Sequence, residues 1–363
     1  MTEKTLAEQL EKIDVTENLS ACPIDFSKSK VANPRESTEQ KVYKSNGVNS
    51  NFNQRQKFAE EQGPQFNLKF TDGTLPVTPQ RYRLIWSKHC PWATRIAIAI
   101  DLLGLDQVIS KGVVDPLRPA GVVGDWFFTL DPDNEDPVLH VKSLSENYLK
   151  ADPNYKKRTT VPALVDIKTG KVVNNNYNTL INELTLAWRD YQAKDAPDLY
   201  PEALRSDIDA LNKILYADVN AAVNEAGLAR SQADYEKYYN RVFDRLDWLE
   251  QRLSQQRYLF GNQITDSDIR LYVTLSRFDL VFYQKYYVNK KKLVEYPNLW
   301  NYTKDLYSIP AFKNNTDFES MKQRFYQVDH TPQSDLVRII PAGPDLTIWE
   351  APNDRDRFTE TNE

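Results

Sequence analysis

Cys90 is the residue of this sequence whose type and position point most directly to chemistry. It lies in Ser87-Lys-His-Cys-Pro91, after a stretch that alternates like a strand and before apolar residues at helical spacing. Pro91 suits the first position of a helix, because its missing N–H has no intrahelical partner there. A cysteine at a helix amino terminus meets unpaired N–H groups and a partial positive charge, which both lower the pKa of a thiol. The pattern therefore predicts a nucleophilic thiolate rather than a buried apolar cysteine.

A paired-cysteine cycle is excluded at this position. Ala93 stands where a Cys-x-x-Cys motif has its second cysteine. A single thiolate can still form a mixed disulfide, which an external thiol then resolves. The other cysteine, Cys22, lies in a polar stretch, and we interpret it as an unrelated surface thiol. His89 adjoins Cys90, but neighbouring residues of an extended chain point to opposite faces, so we expect no Cys–His pair.

Composition excludes several classes of function. The 363 residues carry 46 Lys and Arg against 51 Asp and Glu, and this net charge of −5 argues against a general nucleic-acid partner. No apolar run approaches the roughly 20 residues of a membrane helix, and the start of the sequence has no apolar signal core. Three histidines and two cysteines are too few for the usual metal centres. These features predict a cytoplasmic protein with no metal, membrane or nucleic-acid partner.

The elements around Cys90 follow a defined order. Alternating residues predict strands, apolar residues at three and four spacing predict helices, and Thr169-Gly170 predicts a hairpin turn. The order is strand, helix, strand, insertion, helix, two hairpin strands and helix, which is that of a thioredoxin-like domain. The segments are 81–86, 92–103, 108–114, 143–149, 159–166, 171–173 and 178–191.

The rest of the chain divides into an arm, a helical domain and a tail. In the helical part, apolar residues between Tyr239 and Leu253 share one face of a helix, and Thr265-Asp-Ser-Asp268 begins an apolar helix predicted over 269–281. The fold class is therefore an α/β thioredoxin-like domain followed by an all-α domain. The predicted units are a polar arm over 1–50, the thioredoxin-like domain over 51–195 with an insertion at 115–155, the all-helical domain over 196–327 and the tail over 328–363.

Val161-Pro162 begins the strand that is expected to face Cys90. Thioredoxin-like folds keep a cis peptide bond at this point, which turns the backbone N–H and C=O of the preceding residue towards a ligand. An ordinary trans proline at a strand edge is the alternative.

Ser87-Lys-His-Cys-Pro-Trp-Ala-Thr-Arg95 resembles the Cys-Pro-Trp-Ala motif of the glutathionyl-hydroquinone reductases, the Xi class of glutathione S-transferases. The resemblance continues in the same order and covers about residues 65–330. Further segments that carry it are Gly124-Asp-Trp126, Tyr148-Leu-Lys-Ala-Asp-Pro-Asn-Tyr155, Arg158-Thr-Thr-Val-Pro-Ala-Leu-Val-Asp166, Gln256-Arg-Tyr-Leu-Phe-Gly261, Thr274-Leu-Ser-Arg-Phe-Asp279 and Tyr296-Pro-Asn-Leu-Trp300.

This resemblance implies a homodimer that uses glutathione to reduce glutathionyl-hydroquinones. It implies that Cys90 is the nucleophile and that glutathione is a co-substrate, while the helical domain supplies aromatic side chains for a quinone-type substrate. Trp126 and Arg158 would flank glutathione, and Val161, with Pro162 after it, would pair with the peptide backbone of the tripeptide.

The sequence departs from the family at three places. The family has Glu-Ser for the γ-glutamyl end of glutathione, and this chain has Asn176-Tyr177. Losing a carboxylate aimed at an ammonium removes roughly 1.5–3 kcal/mol of binding free energy, which is about tenfold or more in affinity. Asn176 can keep one weaker hydrogen bond. Tyr177 is expected to close part of the site. Asn224 and Phe325 replace two family tyrosines, and Tyr326 is left as the candidate proton donor.

Several functional hypotheses remain open from the sequence. The first is a thiol-dependent reductase with Cys90 as nucleophile, and a variant of it uses a thiol other than glutathione. The second is a non-catalytic binding or stress protein that retains the fold, because three functional positions are altered. A conventional glutathione conjugase is a weaker third, since a cysteine at the helix start favours thiol exchange.

Overall fold

A four-stranded sheet forms the centre of the amino-terminal domain. The computed structural model describes residues 66–117, 124–328 and 339–359. The sheet order is β2-β1-β3-β4, in which β1 and β2 are parallel and β3 is antiparallel to both β1 and β4. This is the predicted thioredoxin-like arrangement, and the predicted arm over 1–50, with Cys22, lies outside the described residues. The strands are Tyr82–Trp86 (β1), Ile109–Val113 (β2), Ala163–Asp166 (β3) and Lys171–Asn174 (β4).

Helix α1 (Pro91–Leu102) connects β1 to β2 and is buried on all sides. Every residue from Pro91 to Ile100 is buried. The helix packs against β1 in its own domain and against helices of the second domain. Because protein covers all its faces, apolar residues surround the helix instead of forming a single stripe. Gly104 follows with a φ of +68°, a left-handed conformation that favours glycine after a helix.

The insertion is attached to the sheet by a buried side chain and contains a capped helix. Asp136 is fully buried, and its Oδ2 accepts a hydrogen bond from Arg83 Nε in β1 at 2.9 Å. Helix α2 (Leu144–Ala151) begins with a capping box made by Ser143 and Glu146. Over its described residues from 124 onwards, the insertion is therefore a structured side of the domain.

Helix α3 (Leu180–Ala187) is shorter than the helix predicted over 178–191. The side chain of Gln192 donates from Nε2 to the carbonyls of Leu184 and Thr185, at 3.2 and 2.9 Å. These carbonyls are therefore satisfied without another helical turn. The chain continues as a 3₁₀ turn at Arg189–Tyr191.

Helices build the second domain. The predicted apolar face of the longest helix is buried at Val242, Phe243, Leu246, Leu249 and Leu253, while Tyr239 at its edge is half-buried. Within the described ranges no helix combines the length and apolar character needed to cross a membrane. The helices are Arg205–Leu215 (α4), Ala222–Leu228 (α5), Gln232–Leu253 (α6), Asp266–Leu275 (α7), Tyr283–Lys285 (α8), Pro297–Ser308 (α9), Pro310–Lys313 (α10) and Phe318–Lys322 (α11).

Helix α7 starts as predicted but ends before residue 281. Thr265 and Asp268 form the expected capping box. At the other end, the carbonyl of Val273 accepts from Arg277 Nη1 at 2.6 Å, and the backbone N–H of Arg277 donates instead to Thr274. The regular α-helical pattern therefore stops, and a π-helical turn follows at Phe278–Phe282.

The tail docks on the helical domain over the described residues 339–359. Trp349 packs its ring against Trp300, Tyr307 and Phe318, with centroids 5.0 to 5.2 Å apart. Arg355 is fully buried and donates from Nη1 to the carbonyl of Leu253 at 2.8 Å. The tail thus completes the core of the second domain.

Candidate active site

Cys90 caps the amino terminus of α1, as the sequence predicts. Its φ and ψ are −76° and 113°, and Pro91 takes the first helical position. The backbone N–H of Cys90 donates to the carbonyl of Ser87 at 2.9 Å, so the loop from β1 turns tightly into the helix. The backbone N–H and Oγ1 of Thr94 donate to the Cys90 carbonyl at 2.9 and 2.8 Å. The sulfur is therefore attached to a firmly held backbone. Contrary to the expectation that Cys90 is not a buried cysteine, the residue is only 5% exposed and packs at the edge of the apolar core, and its ionisation stays a prediction.

The strand predicted to face the thiol does so. The Sγ of Cys90 lies 3.8 Å from the carbonyl oxygen of Val161, to which the thiol donates. The Val161–Pro162 peptide bond is cis, as expected for this fold. The structure thus brings Cys90 and Val161 together across 71 residues of sequence.

Trp126 lies on the same side of the site, next to the loop that carries Cys90. Its ring packs against the imidazole of His89 with centroids 5.5 Å apart, and its Nε1 donates to the carbonyl of Thr159 at 3.2 Å. The guanidinium of Arg324 lies 5.3 Å from the Trp126 ring. Trp126 is thereby held between the two domains, close to the reactive loop.

His89 bonds to its own loop. Its Nδ1 and the Oγ of Ser87 share a hydrogen bond of 2.8 Å, and Ser87 is fully buried. With its ring against Trp126, the imidazole is oriented by these two residues. That His89 and Cys90 do not form a catalytic pair stays a prediction.

Arg158 is adjacent to Thr159, whose carbonyl accepts from Trp126. Its stem packs on Gly124, where an added Cβ would come within 3.3 Å of Arg158 Cγ. Gly124 has a φ of +89°, so both its conformation and the close stem favour glycine. Tyr155 donates from its hydroxyl to the Arg158 carbonyl at 2.8 Å, which fixes the backbone.

Asn176 and Tyr177 lie on the other side of α1. The Oδ1 of Asn176 accepts from the backbone N–H of Asn178 at 3.1 Å, and its Nδ2 donates to Asn67 Oδ1 at 3.1 Å. The ring of Tyr177 packs against Trp92 with centroids 5.0 Å apart. Asn176 therefore shapes the turn into α3, and Tyr177 packs beside α1. That Tyr177 closes part of the glutathione site stays a prediction.

Tyr326 lies in a π-helical turn, Gln323–Val328, and the ring of the preceding residue, Phe325, contacts the loop that carries Cys90. Phe325 packs edge-on against His89, with centroids 6.4 Å apart. The Tyr326 hydroxyl donates to the carbonyl of Leu280 at 2.9 Å, and burial raises the pKa of Tyr326 to about 12. The phenol thus carries its proton at neutral pH, and its role as a proton donor remains a prediction.

Two charged residues of the site escaped sequence reasoning. Arg277 donates hydrogen bonds to the loop before Cys90, and Arg324 lies over Trp126. Both belong to the second domain, so no local pattern around Cys90 points to them.

Asn224, which replaces a family tyrosine, is buried and donates from Nδ2 to the Asn220 carbonyl at 2.9 Å, within its own helical segment. Among the described residues no group of three His, Cys, Asp or Glu side chains is arranged to hold a metal ion.

Comparisons with known proteins agree on one set of relatives. The family model for the glutathione S-transferase C-terminal domain matches residues 232–305. The chain is 37% identical to glutathionyl-hydroquinone reductase YqjG of Escherichia coli, over 78% of this chain and 85% of that protein. It is 33% identical to glutathionyl-hydroquinone reductase PcpF of Sphingobium chlorophenolicum, over 73% of this chain and 83% of that protein.

Solved structures lead to the same group. A glutathione transferase from Gordonia bronchialis is 42% identical, with a TM-score of 0.75 over 81% of this chain and 90% of that one. The glutathione-bound structure of YqjG is 37% identical, with a TM-score of 0.71 over 77% of this chain and 89% of that one.

Proposed function

Since the chain belongs to the glutathionyl-hydroquinone reductases, the Xi class of glutathione transferases, we propose that it is a reductase that removes a thiol adduct from aromatic, quinone-type substrates through a Cys90 mixed disulfide. The observation that carries this proposal is the position of Cys90, at the amino terminus of α1 and 3.8 Å from the Val161 carbonyl. There a thiolate is favoured by the helix and lies next to backbone that can pair with a peptide-like thiol.

The reaction has two steps, of which the first breaks a carbon–sulfur bond and the second is a thiol–disulfide exchange. The Cys90 thiolate attacks the glutathionyl sulfur, the bond between that sulfur and the ring carbon breaks, and the ring carbon takes up a proton. This releases the hydroquinone and leaves Cys90 in a disulfide with glutathione. A second glutathione thiolate attacks that disulfide, so that glutathione disulfide leaves and the Cys90 thiolate is restored. Tyr326, protonated at neutral pH, is our candidate for the proton that reaches the ring carbon.

Glutathione is the co-substrate that we propose, held more weakly than in relatives that keep the Glu-Ser pair. Trp126 and Arg158 are assigned to its sides, and Val161 to its backbone, with Pro162 setting the direction of that backbone. Asn176 replaces a carboxylate and already bonds to Asn178 and Asn67. A charge-assisted bond to the γ-glutamyl ammonium is therefore missing at this position.

That same observation favours a second candidate, in which the chemistry is unchanged but the thiol is smaller than glutathione. Tyr177 is 5% exposed and packs against Trp92, so it occupies room beside the proposed γ-glutamyl position. Rates with glutathione, γ-glutamylcysteine and cysteine separate the two candidates. Glutathione should be the fastest under the first and cysteine under the second.

We further propose a cytoplasmic homodimer. The reducing cytoplasm suits a protein with a reactive thiol, and glutathione keeps thiols reduced there. A homodimer is usual for this family. Sedimentation of the full chain at several concentrations tests the assembly, and a monomer at all of them contradicts it.

The central test is intact-mass detection of the mixed disulfide. On exposure to a glutathionyl-hydroquinone, the protein should gain the mass of one glutathione, and a further addition of glutathione should remove it. Cys90→Ser should abolish both the adduct and turnover, whereas the matched variant Cys22→Ser should retain both. A protein that forms no adduct and whose Cys90→Ser variant behaves like wild type is instead the non-catalytic binding protein.

A further inference from the structure

Arg277 is a fully buried cation that reaches from the second domain to the loop carrying Cys90. It follows α7 and has no exposed surface. Its Nε donates to the carbonyl of His89 at 3.0 Å, and its Nη2 donates to the carbonyl of Lys88 at 3.3 Å and to Thr94 Oγ1 at 3.1 Å. The guanidinium therefore bonds to the chain on both sides of the thiol.

The remaining donors of Arg277 are also satisfied. Nη1 donates to the carbonyl of Val273 at 2.6 Å and to Ser276 Oγ at 3.1 Å. All five hydrogen bonds end on neutral oxygens. A buried charge is normally paired with an opposite charge, because neutral acceptors replace only part of the lost hydration. The acidic group on the segment to which Arg277 bonds is the Cys90 thiol, which lies between the two sets of acceptors, His89 and Thr94.

The charge on Arg277 is present at neutral pH. Burial lowers the pKa of Arg277 to about 10, while the Coulombic attraction of Cys90 and, more weakly, of Tyr272 acts in the opposite direction. The Tyr272 hydroxyl is itself hydrogen-bonded to Thr316. Electrostatic attraction is mutual, so the cation that gains from the thiolate also stabilises it.

Other charged and titratable groups around this loop are arranged differently. Lys88 is a partly exposed side chain paired with Asp317 at 3.1 Å, so solvent screens its charge. Arg95 on α1 packs over the rings of Trp92 and Tyr177. Four more titratable or charged side chains lie on the elements packed around the loop, and each contacts other groups. His89 packs against Trp126 and bonds to Ser87, and Arg324 lies over the Trp126 ring. The stem of Arg158 packs on Gly124, and the Tyr326 hydroxyl donates to the Leu280 carbonyl.

We propose that Arg277 is a positioning residue of the thiol site, in which the helical domain supplies a fixed cation that stabilises the Cys90 thiolate and holds the 88–94 segment in place. This inference rests on the proposed role of Cys90 as nucleophile. It adds that the amino-terminal domain alone does not make the thiol reactive, because part of the stabilising charge comes from the other domain.

The test is the pH dependence of Cys90 alkylation by iodoacetamide, measured by mass in the full chain with Cys22→Ser as background. We expect Arg277→Gln, which removes the charge, to raise the apparent thiol pKa by about one unit, which lowers the alkylation rate at neutral pH by about tenfold. Arg277→Lys keeps a charge and should restore most of the wild-type profile. Profiles of Arg277→Gln that superimpose on wild type, or equal shifts in the Lys and Gln variants, would overturn the proposal.

A matched control separates charge from folding. Arg355 is also fully buried and also donates to backbone carbonyls, but it belongs to the tail and bonds to the end of α6 and the residues after it. Arg355→Gln should lower stability without moving the thiol pKa, and a shift equal to that of Arg277→Gln would contradict our inference. Should Arg277→Gln not fold, Arg277→Lys still decides the question. If Arg277 acts only through its hydrogen bonds, the alkylation profile of the Lys variant should shift from that of wild type. If Arg277 acts through its charge, that profile should be preserved. Alkylation requires no glutathione, so it tests the inference independently of turnover. If Arg277→Gln raises the apparent Cys90 pKa as expected but the wild-type protein shows no turnover, only the proposed function is refuted.

Discussion

At the scale of single residues, Asn176 marks the clearest departure of this site from its family. Its Oδ1 accepts the Asn178 N–H, a bond that Asp can keep, and the amide of Asn67 can turn to donate to the new carboxylate. Asn176→Asp should therefore leave the fold intact and lower the KM for glutathione several-fold, through a charge-assisted bond to the γ-glutamyl ammonium of about 1.5–3 kcal/mol at most. Steady-state kinetics measures this effect.

The matching control is 2-mercaptoethanol, which has no ammonium group. Its KM should not change in Asn176→Asp. Equal effects on both thiols would mean that the variant acts on the loop and not on ligand binding, and an unchanged KM for glutathione would place the γ-glutamyl end elsewhere.

At the scale of elements, a buried carboxylate at the start of α7 links this helix to α9 and to the segment before α7. Asp268 is fully buried and accepts from Thr265 N at 2.8 Å, from Leu259 N at 2.9 Å and from the Tyr302 hydroxyl at 2.9 Å. The Thr265 hydroxyl also donates to Asp268, at 2.9 Å. Asp268→Ala removes the acceptor of all four donors, so we expect the free energy of unfolding to fall by about 3 kcal/mol or more. Urea denaturation followed by circular dichroism measures the loss.

Ser143→Ala provides the comparison for this cap. Ser143 caps α2 at a partly exposed position, so its loss should cost only about 1 kcal/mol. Similar losses in both variants would show that the buried network around Asp268 adds nothing beyond ordinary helix capping.

At the scale of the whole molecule, the tail stabilises the helical domain by completing its core. Trp349 is 8% exposed among Trp300, Tyr307 and Phe318. Trp349→Ala should lower the free energy of unfolding by about 3–5 kcal/mol, because it leaves a cavity among aromatic rings. Its exposed neighbour Ile348, at 37%, is the control, and Ile348→Ala should cost under about 1 kcal/mol. Urea denaturation measures both losses, and a free energy of unfolding for Trp349→Ala equal to that of wild type would contradict the stabilising role of this contact.

The amino-acid sequence by itself determined the order of elements and the position of the thiol. Alternation in β1, apolar spacing in α1 and the Cys90-Pro91 step are local signals, because strands, helices and caps are set by residues close together in the chain. Resemblance to a family then assigned a role to Trp126, Arg158 and Val161.

Only the tertiary structure decided what surrounds that thiol. Arg277 bonds to a residue 188 positions away in the sequence, and the Gln192 side chain ends α3 earlier than its apolar pattern predicts. Helix α7 stops early for a similar reason, because the Arg277 guanidinium takes the Val273 carbonyl. Side-chain hydrogen bonds of this kind arise from packing between distant segments, and spacing along the chain carries no record of them.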